Sequence, residues 1–405
     1  MREYGTATND REDGIVITGF TSAAALPADW RQASLLGRLD LGDGPTPVII
    51  RDGHVHDMAR IAPTVADLIA LGEFDTVRGV DLGDLDTLSL SPGARIDDGV
   101  ALLSPIDLHC VKASGVTFAV SALERVIEER ARGDASAAVA VRTRLEARVG
   151  GSIRTVVPGS TEAAALKDAL IEDGMWSQYL EVAIGPDAEI FTKAPTLSTI
   201  GWGGAIGVRS DSTWNNPEPE VVLIVDPTGR SVGATLGNDV NLRDFEGRSA
   251  LLLGKAKDNN ASCSLGPFIR LFDDRFGMDD IRQAEIALTI EGQDGYRLEG
   301  SSSMAQISRD PDDLVRQTMS EHQYPDGFAL FLGTLFAPTQ DRDVPGRGFT
   351  HAIGDIVTIS NPKLGTLVNP VTTSRDAAPW SSGIGDLMRN LAGRGLLGHH
   401  QIKGE

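Results

Sequence analysis

The stretch that decides the fold is Asn216-Pro217-Glu218-Pro219-Glu220-Val221-Val222-Leu223-Ile224-Val225, which runs into the turn sequence Asp226-Pro227-Thr228-Gly229. Side chains alternate between the two faces of a strand, so the two glutamates share one face, roughly 7 Å apart. Proline and glycine at the second and fourth turn positions predict that the chain doubles back as a β-hairpin, with its return strand from Arg230 to Leu236.

The return strand brings a third acidic side chain close to this face. With a two-residue loop, residue 226 pairs with 229, 220 with 235 and 218 with 237, which places Asp239 just beyond Glu218. A three-residue loop with a bulge at Gly229 would reverse the face, so the pattern predicts proximity rather than orientation.

Three carboxylates gathered at one place repel one another unless a cation lies between them. Oxygen ligands select a hard divalent ion, so we expect Glu218, Glu220 and Asp239 to hold Mg²⁺, with Mn²⁺ or Ca²⁺ as alternatives. The spacing alone also fits two solvated glutamates on an edge strand, and further motifs are needed to decide.

Composition narrows the class of protein. The chain has 405 residues, of which 41% are hydrophobic and 23% charged, and these values exclude a disordered or fibrous chain. The formal net charge of −20 repels phosphate backbones, so no nucleic-acid partner is expected. No export signal, no apolar run long enough for a membrane and only two cysteines, Cys110 and Cys263, favour a cytoplasmic protein without a membrane partner.

The chain divides into two predicted domains. Residues 1–98 form a small β-rich N-terminal domain, with a hairpin turn at Asp52-Gly53 and a short helix from Val65 to Leu71. Residues 99–405 form the larger catalytic domain, which starts with predicted helices at 122–149 and 161–172. Short apolar runs separated by Gly, Pro and Asp then indicate a rolled antiparallel or mixed sheet, and hence a mixed α+β, β-rich fold.

Further motifs follow the hairpin in a fixed order. The return strand ends in Gly237-Asn238-Asp239-Val240-Asn241-Leu242-Arg243-Asp244, and Lys257 stands ten positions before Pro267 in Cys263-Ser264-Leu265-Gly266-Pro267. The later motifs are Pro325-Asp326-Gly327, Gly333-Thr334, Gly354-Asp355-Ile356-Val357 and Leu364-Gly365-Thr366-Leu367-Val368-Asn369. In this order, over roughly residues 105–372, they resemble the fumarylacetoacetate hydrolase family.

This resemblance implies a fold and a set of roles. The fold is the family's mixed β-roll with a pseudo-barrel core, and a small β-rich N-terminal domain like the one in residues 1–98 is found in many members. The E-x-E pair and the Asp of the N-D-V motif hold a divalent cation in the family, which assigns that role to Glu218, Glu220 and Asp239. Lys257 matches the lysine that reaches the substrate.

One position departs from the family pattern. The segment Gly115-Val116-Thr117-Phe118-Ala119-Val120-Ser121 has serine where the family has the histidine that activates water. Serine at its ordinary pKa does not deprotonate water unaided, so C–C bond hydrolysis is in doubt. This segment, the run 189–193 and the run 208–214 resemble instead the branch that dehydrates a 2-keto-3-deoxy-pentonate, xylonate or arabinonate, to 2-oxoglutarate semialdehyde in non-phosphorylative pentose breakdown.

The expected chemistry gives each candidate residue a role. A 2-keto acid chelates the cation through its carboxylate and keto oxygens, which favours removal of a C3 proton to give a metal-stabilised enolate. Lys257 is the expected base, if burial and the nearby cation lower its pKa, and Glu189 is the second catalytic candidate. Gly333 and Thr334 are expected to bind substrate, and Arg243 either binds it or braces Asp239.

Two other functions stay open from sequence. Acylpyruvate hydrolysis or oxaloacetate decarboxylation would use the same chelate with a different bond broken, and a non-enzymatic metal-binding scaffold would keep the cation without turnover. The sequence does not fix the C4 epimer of the substrate. A homodimer or homotetramer is expected from the family, and the apolar tail from Ile384 to Leu397 is predicted to pack either at an interface or back on its own chain.

Overall fold

The computed structural model describes residues 21–92, 100–119, 122, 126, 143, 156–336, 340–342 and 348–398. The helices in this part of the chain are α1 (Ser22–Ala25), α2 (Val65–Leu71), α3 (Thr161–Glu172), α4 (Gln178–Ile184), α5 (Arg243–Glu246), α6 (Leu253–Lys257), α7 (Met278–Arg282), α8 (Pro311–Met319) and α9 (Ile384–Gly393). Short 3₁₀ turns cover Leu85–Thr87, Ala250–Leu252 and Met304–Gln306.

Strands dominate the described residues. They are β1 (Leu35–Asp40), β2 (Pro45–Arg51), β3 (His54–Asp57), β4 (Val80–Asp84), β5 (Leu90–Pro92), β6 (Val100–Leu102), β7 (Cys110–Gly115), β8 (Glu189–Ala194), β9 (Ile206–Val208), β10 (Asn215–Asn216), β11 (Pro219–Val225), β12 (Ser231–Asp239), β13 (Asn241–Leu242), β14 (Cys263–Leu271), β15 (Glu285–Glu291), β16 (Arg297–Ser303), β17 (Phe328–Phe331), β18 (Ile356–Asn361) and β19 (Gly365–Thr373). The predicted β-rich, mixed α+β class is confirmed.

Most strands belong to one large sheet of twelve. Its main path is β4-β3-β2-β1-β14-β12-β11-β17-β7-β8, and β6 joins β5 to β1 at one side. A five-stranded sheet runs β16-β15-β18-β19-β9, and β10 pairs with β13. Both larger sheets are open paths, and neither closes into a barrel over the described residues.

The central hairpin is buried on both faces. Alternate residues of β11 enter two different cores, with Val221, Leu223 and Val225 in one and Val222 and Ile224 in the other. A strand covered on both sides requires a continuous apolar run, which is what residues 221–225 provide. The predicted hairpin is therefore the centre of the large sheet, rather than an edge.

The register of this hairpin differs from the predicted one by two residues. Glu220 lies opposite Gly237, not residue 235, because the chain takes a longer turn and then a bulge. The Asp226 side chain accepts hydrogen bonds from the backbone N–H groups of Thr228 and Arg230 at 2.9 and 3.0 Å, which holds the longer turn. Because the shift is an even number, the acidic side chains keep the face that the alternation predicted.

The N-terminal strands confirm the local predictions. The hairpin of β2 and β3 turns at Asp52 and Gly53, which have φ values of 51° and 82°. Thr64 caps α2 by accepting from the Asp67 N–H at 3.0 Å. These strands join the large sheet through β1, which pairs with β14. The domain boundary near residue 98 stays a prediction, and residues 93–99 lie outside the described part.

The helical predictions have different outcomes. Helix α3 lies where it was predicted, with Ser160 as its N-cap. Most of the helix predicted for 122–149 lies outside the described residues. Ser121 also lies outside them. The C-terminal tail packs back on its own chain, because Leu387, Leu391 and Leu396 are buried in a cluster with Ala59. Across the described stretches of chain, every helix is too short or too polar to cross a bilayer.

Candidate metal centre and active site

Three carboxylates converge at the end of the central hairpin. Glu218, Glu220 and Asp239 each offer an oxygen, and these three atoms lie within 4.8 Å of one another. Glu220 and Asp239 are buried, at 3% and 2% exposure, and the Glu218 side chain is 12% exposed. The set predicted from spacing is thus brought together in space.

Backbone pairing positions the three acidic side chains. Asp239 lies across from Glu218, since its N–H donates to the Glu218 carbonyl at 3.1 Å. The Glu218 N–H donates to the Asn238 side-chain oxygen at 3.0 Å, which extends the contact one residue beyond β11. Asn241 Nδ2 donates to Glu218 Oε1 at 3.0 Å and fixes the orientation of that carboxylate. The carboxylates are therefore held by a ladder and by amide side chains rather than by a free loop.

Two buried lysines face the carboxylates. Lys257, at the end of α6, contacts Glu218 and lies 3.0 Å from Asp239 Oδ2. Lys193, on β8, is fully buried and lies 2.8 Å from Asp239 Oδ1. Lys193 also donates to the Lys257 carbonyl and to the Val240 carbonyl. Asp239 is thus braced on both oxygens by ammonium groups.

Burial and charge set the protonation of this cluster. Burial, followed by the charges of Asp239 and Glu218, raises the pKa of Glu220 well above its usual range. Burial also raises the pKa of Glu218, although Lys257 opposes it. Burial opposes ionisation of Asp239 too, but Lys193 and Lys257 outweigh it and lower the Asp239 pKa. The charge of Asp239 is therefore balanced within the protein, and that of Glu220 is not.

Lys257 differs from the expected neutral base. Burial would lower its pKa, but Asp239 and Glu218 outweigh burial and raise the pKa above that of a free lysine. With no cation among the carboxylates, Lys257 is a charged counter-ion. A divalent ion would take over that counter-ion role, and an added positive charge beside Lys257 lowers its pKa.

The opposite wall of the site is built from three segments. The Gly333 N–H donates to Glu220 Oε2 at 2.6 Å. A Cβ at Gly333, where φ is 89°, would lie 2.1 Å from Thr117 Oγ1, so only glycine fits between Glu220 and Thr117. A Cβ at Gly115 would likewise lie 2.2 Å from Glu189 Oε2. Glu189 therefore lies against β7, and its role in the site stays a prediction.

The remaining candidates from the sequence are Thr334 and Arg243. Thr334 follows Gly333, and its hydroxyl accepts from the Phe336 N–H at 3.1 Å. Arg243 begins α5, with its guanidinium 5.2 Å from the centre of the Trp214 ring. Its predicted roles as a substrate anchor or an Asp239 brace stay predictions, while Lys193 and Lys257 contact Asp239 directly.

The carboxylate cluster fits a hard divalent cation. Two ligands on opposite sides of Ca²⁺ lie about 4.8 Å apart and those of Mg²⁺ about 4.2 Å apart, so the observed spread needs little adjustment for either ion. All the donor atoms are oxygens, and no lysine contacts Glu220 among the described residues. Glu218, Glu220 and Asp239 are the residues that would hold the ion.

The sequence matches a known family over the part of the chain that builds this site. Residues 176–372 match the family described as Fumarylacetoacetate (FAA) hydrolase C-terminal. Residues 176–372 form a domain of the fumarylacetoacetate hydrolase family. The three carboxylates, both lysines, Glu189 and the Gly333-Thr334 pair all lie within this family domain.

Two curated relatives carry dehydratase names. The "Probable 2-keto-3-deoxyxylonate dehydratase" of Haloferax volcanii is 34% identical over 202 residues, which cover 50% of this chain and 66% of the relative. The "2-dehydro-3-deoxy-D-arabinonate dehydratase" of Saccharolobus solfataricus is 33% identical over 187 residues, which cover 46% and 59%. Each match spans less than two thirds of the relative's own length.

Solved structures of the family share the fold. The apo form of a 2-keto-3-deoxy-D-arabinonate dehydratase superposes with a TM-score of 0.60 at 24% identity, over 84% of this chain and 99% of that one. Its complex with magnesium and 2,5-dioxopentanoate gives a TM-score of 0.59 at the same identity and coverage. At this identity the likeness establishes the architecture.

Lys193 is the site residue that sequence reasoning missed. In the sequence it stands four positions after Glu189, about 13 Å away along the same strand, and no motif links it to Asp239. Its buried position between Asp239 and two backbone carbonyls depends on how β8 and α6 meet in space. The sequence signal was a lysine next to Ala194 and Pro195 at the end of a short strand.

Proposed function

We propose that this protein is a Mg²⁺-dependent dehydratase that converts a 2-keto-3-deoxy-pentonate to 2-oxoglutarate semialdehyde in non-phosphorylative pentose breakdown. The observation that carries the proposal is the buried triad of Glu218, Glu220 and Asp239 with Lys257 directly against it. The dehydratase names of the two curated relatives support the reaction, and the name of the magnesium complex supports the metal.

The three carboxylates would hold the ion, which when bound supplies a Lewis acid for the carboxylate and keto oxygens of the substrate. The reaction removes one proton from C3 and the hydroxyl from C4, which leave together as water. A proton shift from C5 to C3 then turns the remaining unsaturated alcohol into an enol, and transfer of the enol hydroxyl proton to C4 gives the aldehyde, so the sequence is redox-neutral.

Two side chains are the candidates for these proton transfers. Lys257 contacts Glu218 and Asp239 from the end of α6, and Glu189 lies on β8 with its carboxylate against Gly115. We assign C3 proton removal to Lys257 once its pKa falls, and proton delivery to the leaving hydroxyl to Glu189. Gly333 and Thr334 form the wall next to Glu220, where their backbone and hydroxyl groups can bind substrate oxygens.

A direct assay tests the proposal. Purified protein with Mg²⁺ is incubated separately with 2-keto-3-deoxy-xylonate and with 2-keto-3-deoxy-arabinonate, and the semialdehyde is measured with a coupled dehydrogenase. Formation of the semialdehyde from at least one epimer is expected. Release of pyruvate or CO₂ from acylpyruvates or oxaloacetate, without any semialdehyde, would replace this function with the corresponding hydrolase or decarboxylase.

The proposal also covers the native metal ion, the oligomeric state and the cellular compartment. We assign Mg²⁺ as the native ion ahead of Mn²⁺ and Ca²⁺, which a comparison of turnover with each ion tests. We assign a homodimer or homotetramer, which light scattering of the purified protein tests. The unpaired thiols of Cys110 and Cys263 fit the reducing cytoplasm, which fractionation of cells tests.

A further inference from the structure

A cavity lies apart from the acidic centre, the cluster of Glu218, Glu220 and Asp239. It has a volume of about 520 Å³ and is found where β1 and β2 meet the start of α9. Its walls include the apolar side chains of Leu103, Leu197 and Leu387, and Arg38 lines it from the sheet. None of the three acidic-centre carboxylates lines this cavity.

Arg38 is a buried charge without a partner. The residue is 8% exposed, and its Nε has no hydrogen-bond partner among the described residues. The Nε of Arg270 is also unpartnered, but the terminal nitrogens of Arg270 and Arg309 bond groups of the chain. Arg270 holds Asp29 through two contacts of 2.9 and 2.7 Å, and the Arg309 guanidinium donates to three backbone carbonyls. An unpaired buried guanidinium is costly, so a counter-ion from outside the chain would stabilise it.

Asp107, whose charge acts on Arg38, is not available as its counter-ion. Asp107 lies close enough for its charge to act on Arg38, but its oxygens are engaged at the start of α2. They accept from the N–H groups of Val65 at 2.6 Å, Ala66 at 3.1 Å and Leu108 at 2.7 Å. Behind Asp107, His109 is fully buried with both ring nitrogens unpartnered.

The other charged groups at the cavity are also committed locally. Asp40 Oδ1 accepts from the N–H groups of Gly42 and Gly44 at 2.8 and 3.3 Å. Asp386 accepts from Gly383 at the start of α9 and from Arg389. The positive end of the α9 helix dipole also faces this space, because Ser382 and Gly383 line it.

We propose that this cavity binds a small organic carboxylate, with the Arg38 guanidinium holding the carboxylate and the leucine walls holding the carbon tail. An arginine fork matches a carboxylate in a two-point contact. The apolar walls favour an organic acid over a fully hydrated inorganic anion. The site is independent of the acidic centre and of the function proposed for it.

Titration calorimetry of the full chain with butyrate, in metal-free buffer at constant ionic strength, tests the proposal. Butyrate is expected to bind with a Kd of about 1–10 mM, and neutral butyramide and inorganic phosphate at least about tenfold more weakly. Substitution Arg38→Met should weaken butyrate binding by at least about tenfold and leave turnover unchanged.

A second pair of variants guards against misfolding of the Arg38 variant. Ser382 is exposed at the cavity mouth, so Ser382→Trp should block butyrate binding, whereas Ser381→Trp, one position outside the lining, should not. The proposal is overturned if butyrate does not bind the wild-type protein, if phosphate binds as well as butyrate, or if both tryptophan variants bind butyrate as the wild type does.

Discussion

Two clusters of buried charge in this protein differ in whether their charges balance. In one, Asp355 receives two contacts from Arg342, at 2.5 and 2.8 Å, and a third at 3.3 Å from His351. Burial keeps the pKa of His351 below its usual value, so one buried carboxylate faces one buried guanidinium. In the other, the carboxylates of Glu218, Glu220 and Asp239 face only two ammonium groups.

This difference separates a structural cluster from a binding centre. A balanced pair is complete within the chain and holds two segments together. A cluster with a surplus of negative charge, such as the acidic centre, is incomplete until a cation arrives. Both clusters are buried, so burial does not distinguish them. The balance of positive and negative charges does. The following predictions test that distinction.

The largest effect is expected from Asp239→Asn. Removing this carboxylate leaves Lys193 and Lys257 without their shared partner and deletes a cation ligand. Turnover should fall at least about a thousandfold, and Mg²⁺ binding by calorimetry should be lost. On the same hairpin, Asp226→Asn disturbs only the turn, so it should lower the urea midpoint without weakening Mg²⁺ binding. Equal Mg²⁺ affinity in the Asp239 variant would remove this residue from the centre.

A smaller loss of turnover is expected from Lys257→Met. The variant lacks the assigned base, so turnover should fall about 10²- to 10⁴-fold and deuterium exchange at C3 should stop. Mg²⁺ affinity should stay the same or rise, because a competing positive charge has been removed. Lys255→Met, on the exposed side of the same helix, is the matched control and should behave as wild type. Continued C3 exchange in the Lys257 variant would assign the base elsewhere.

Breaking the balanced cluster should affect stability alone. Asp355→Asn leaves the buried Arg342 without its carboxylate, which should cost about 3–5 kcal/mol in the free energy of unfolding measured in urea. The variant should bind Mg²⁺ as tightly as wild type does. Asp294 is the exposed partner of the same arginine, and Asp294→Asn should change stability little. Weakened Mg²⁺ binding in the Asp355 variant would argue against separating the two clusters.

The smallest expected effect is on the pH dependence of stability. Burial lowers the pKa of His351 in the folded protein, although Asp355 opposes it, whereas an unfolded histidine titrates near pH 6.5. Below about pH 6.5 the unfolded chain gains the proton first, so folding stability falls with decreasing pH. His351→Gln should reduce the fall in the urea midpoint between pH 7.5 and pH 5.5. His322 has an exposed ring, so His322→Gln should leave that fall unchanged. An unchanged slope in the His351 variant would contradict this assignment.

The hairpin shows what the sequence could and could not predict. The apolar run 221–225 and the turn beside it predicted the strands, and alternation predicted the shared face. The register was wrong by two residues because the Asp226 side chain lengthens the turn and a bulge follows it. Side-chain hydrogen bonds of this kind depend on the folded turn, so residue spacing alone does not reveal them.

Strand β14 shows a second limit of sequence patterns. Its sequence contains Gly266-Pro267, which is typical of a turn and removes a backbone donor from a ladder. In the structure this pair lies where the register to β12 shifts between Ala234 and Leu236, so the missing donor falls at an irregular point. Only the fold shows that this irregular point tolerates proline.

The pairing of β1 with β14 has a consequence for how the chain can be divided. Leu35 and Leu36 lie opposite Arg270 and Ile269, one strand away from the hairpin that carries Asp239. A truncated protein that begins near residue 99 would leave this side of β14 with bare peptide groups, an edge prone to self-association. We therefore expect such a fragment to aggregate, although it would contain every residue of the acidic centre. The family match covers residues 176–372, but we expect independent folding to require β1 as well.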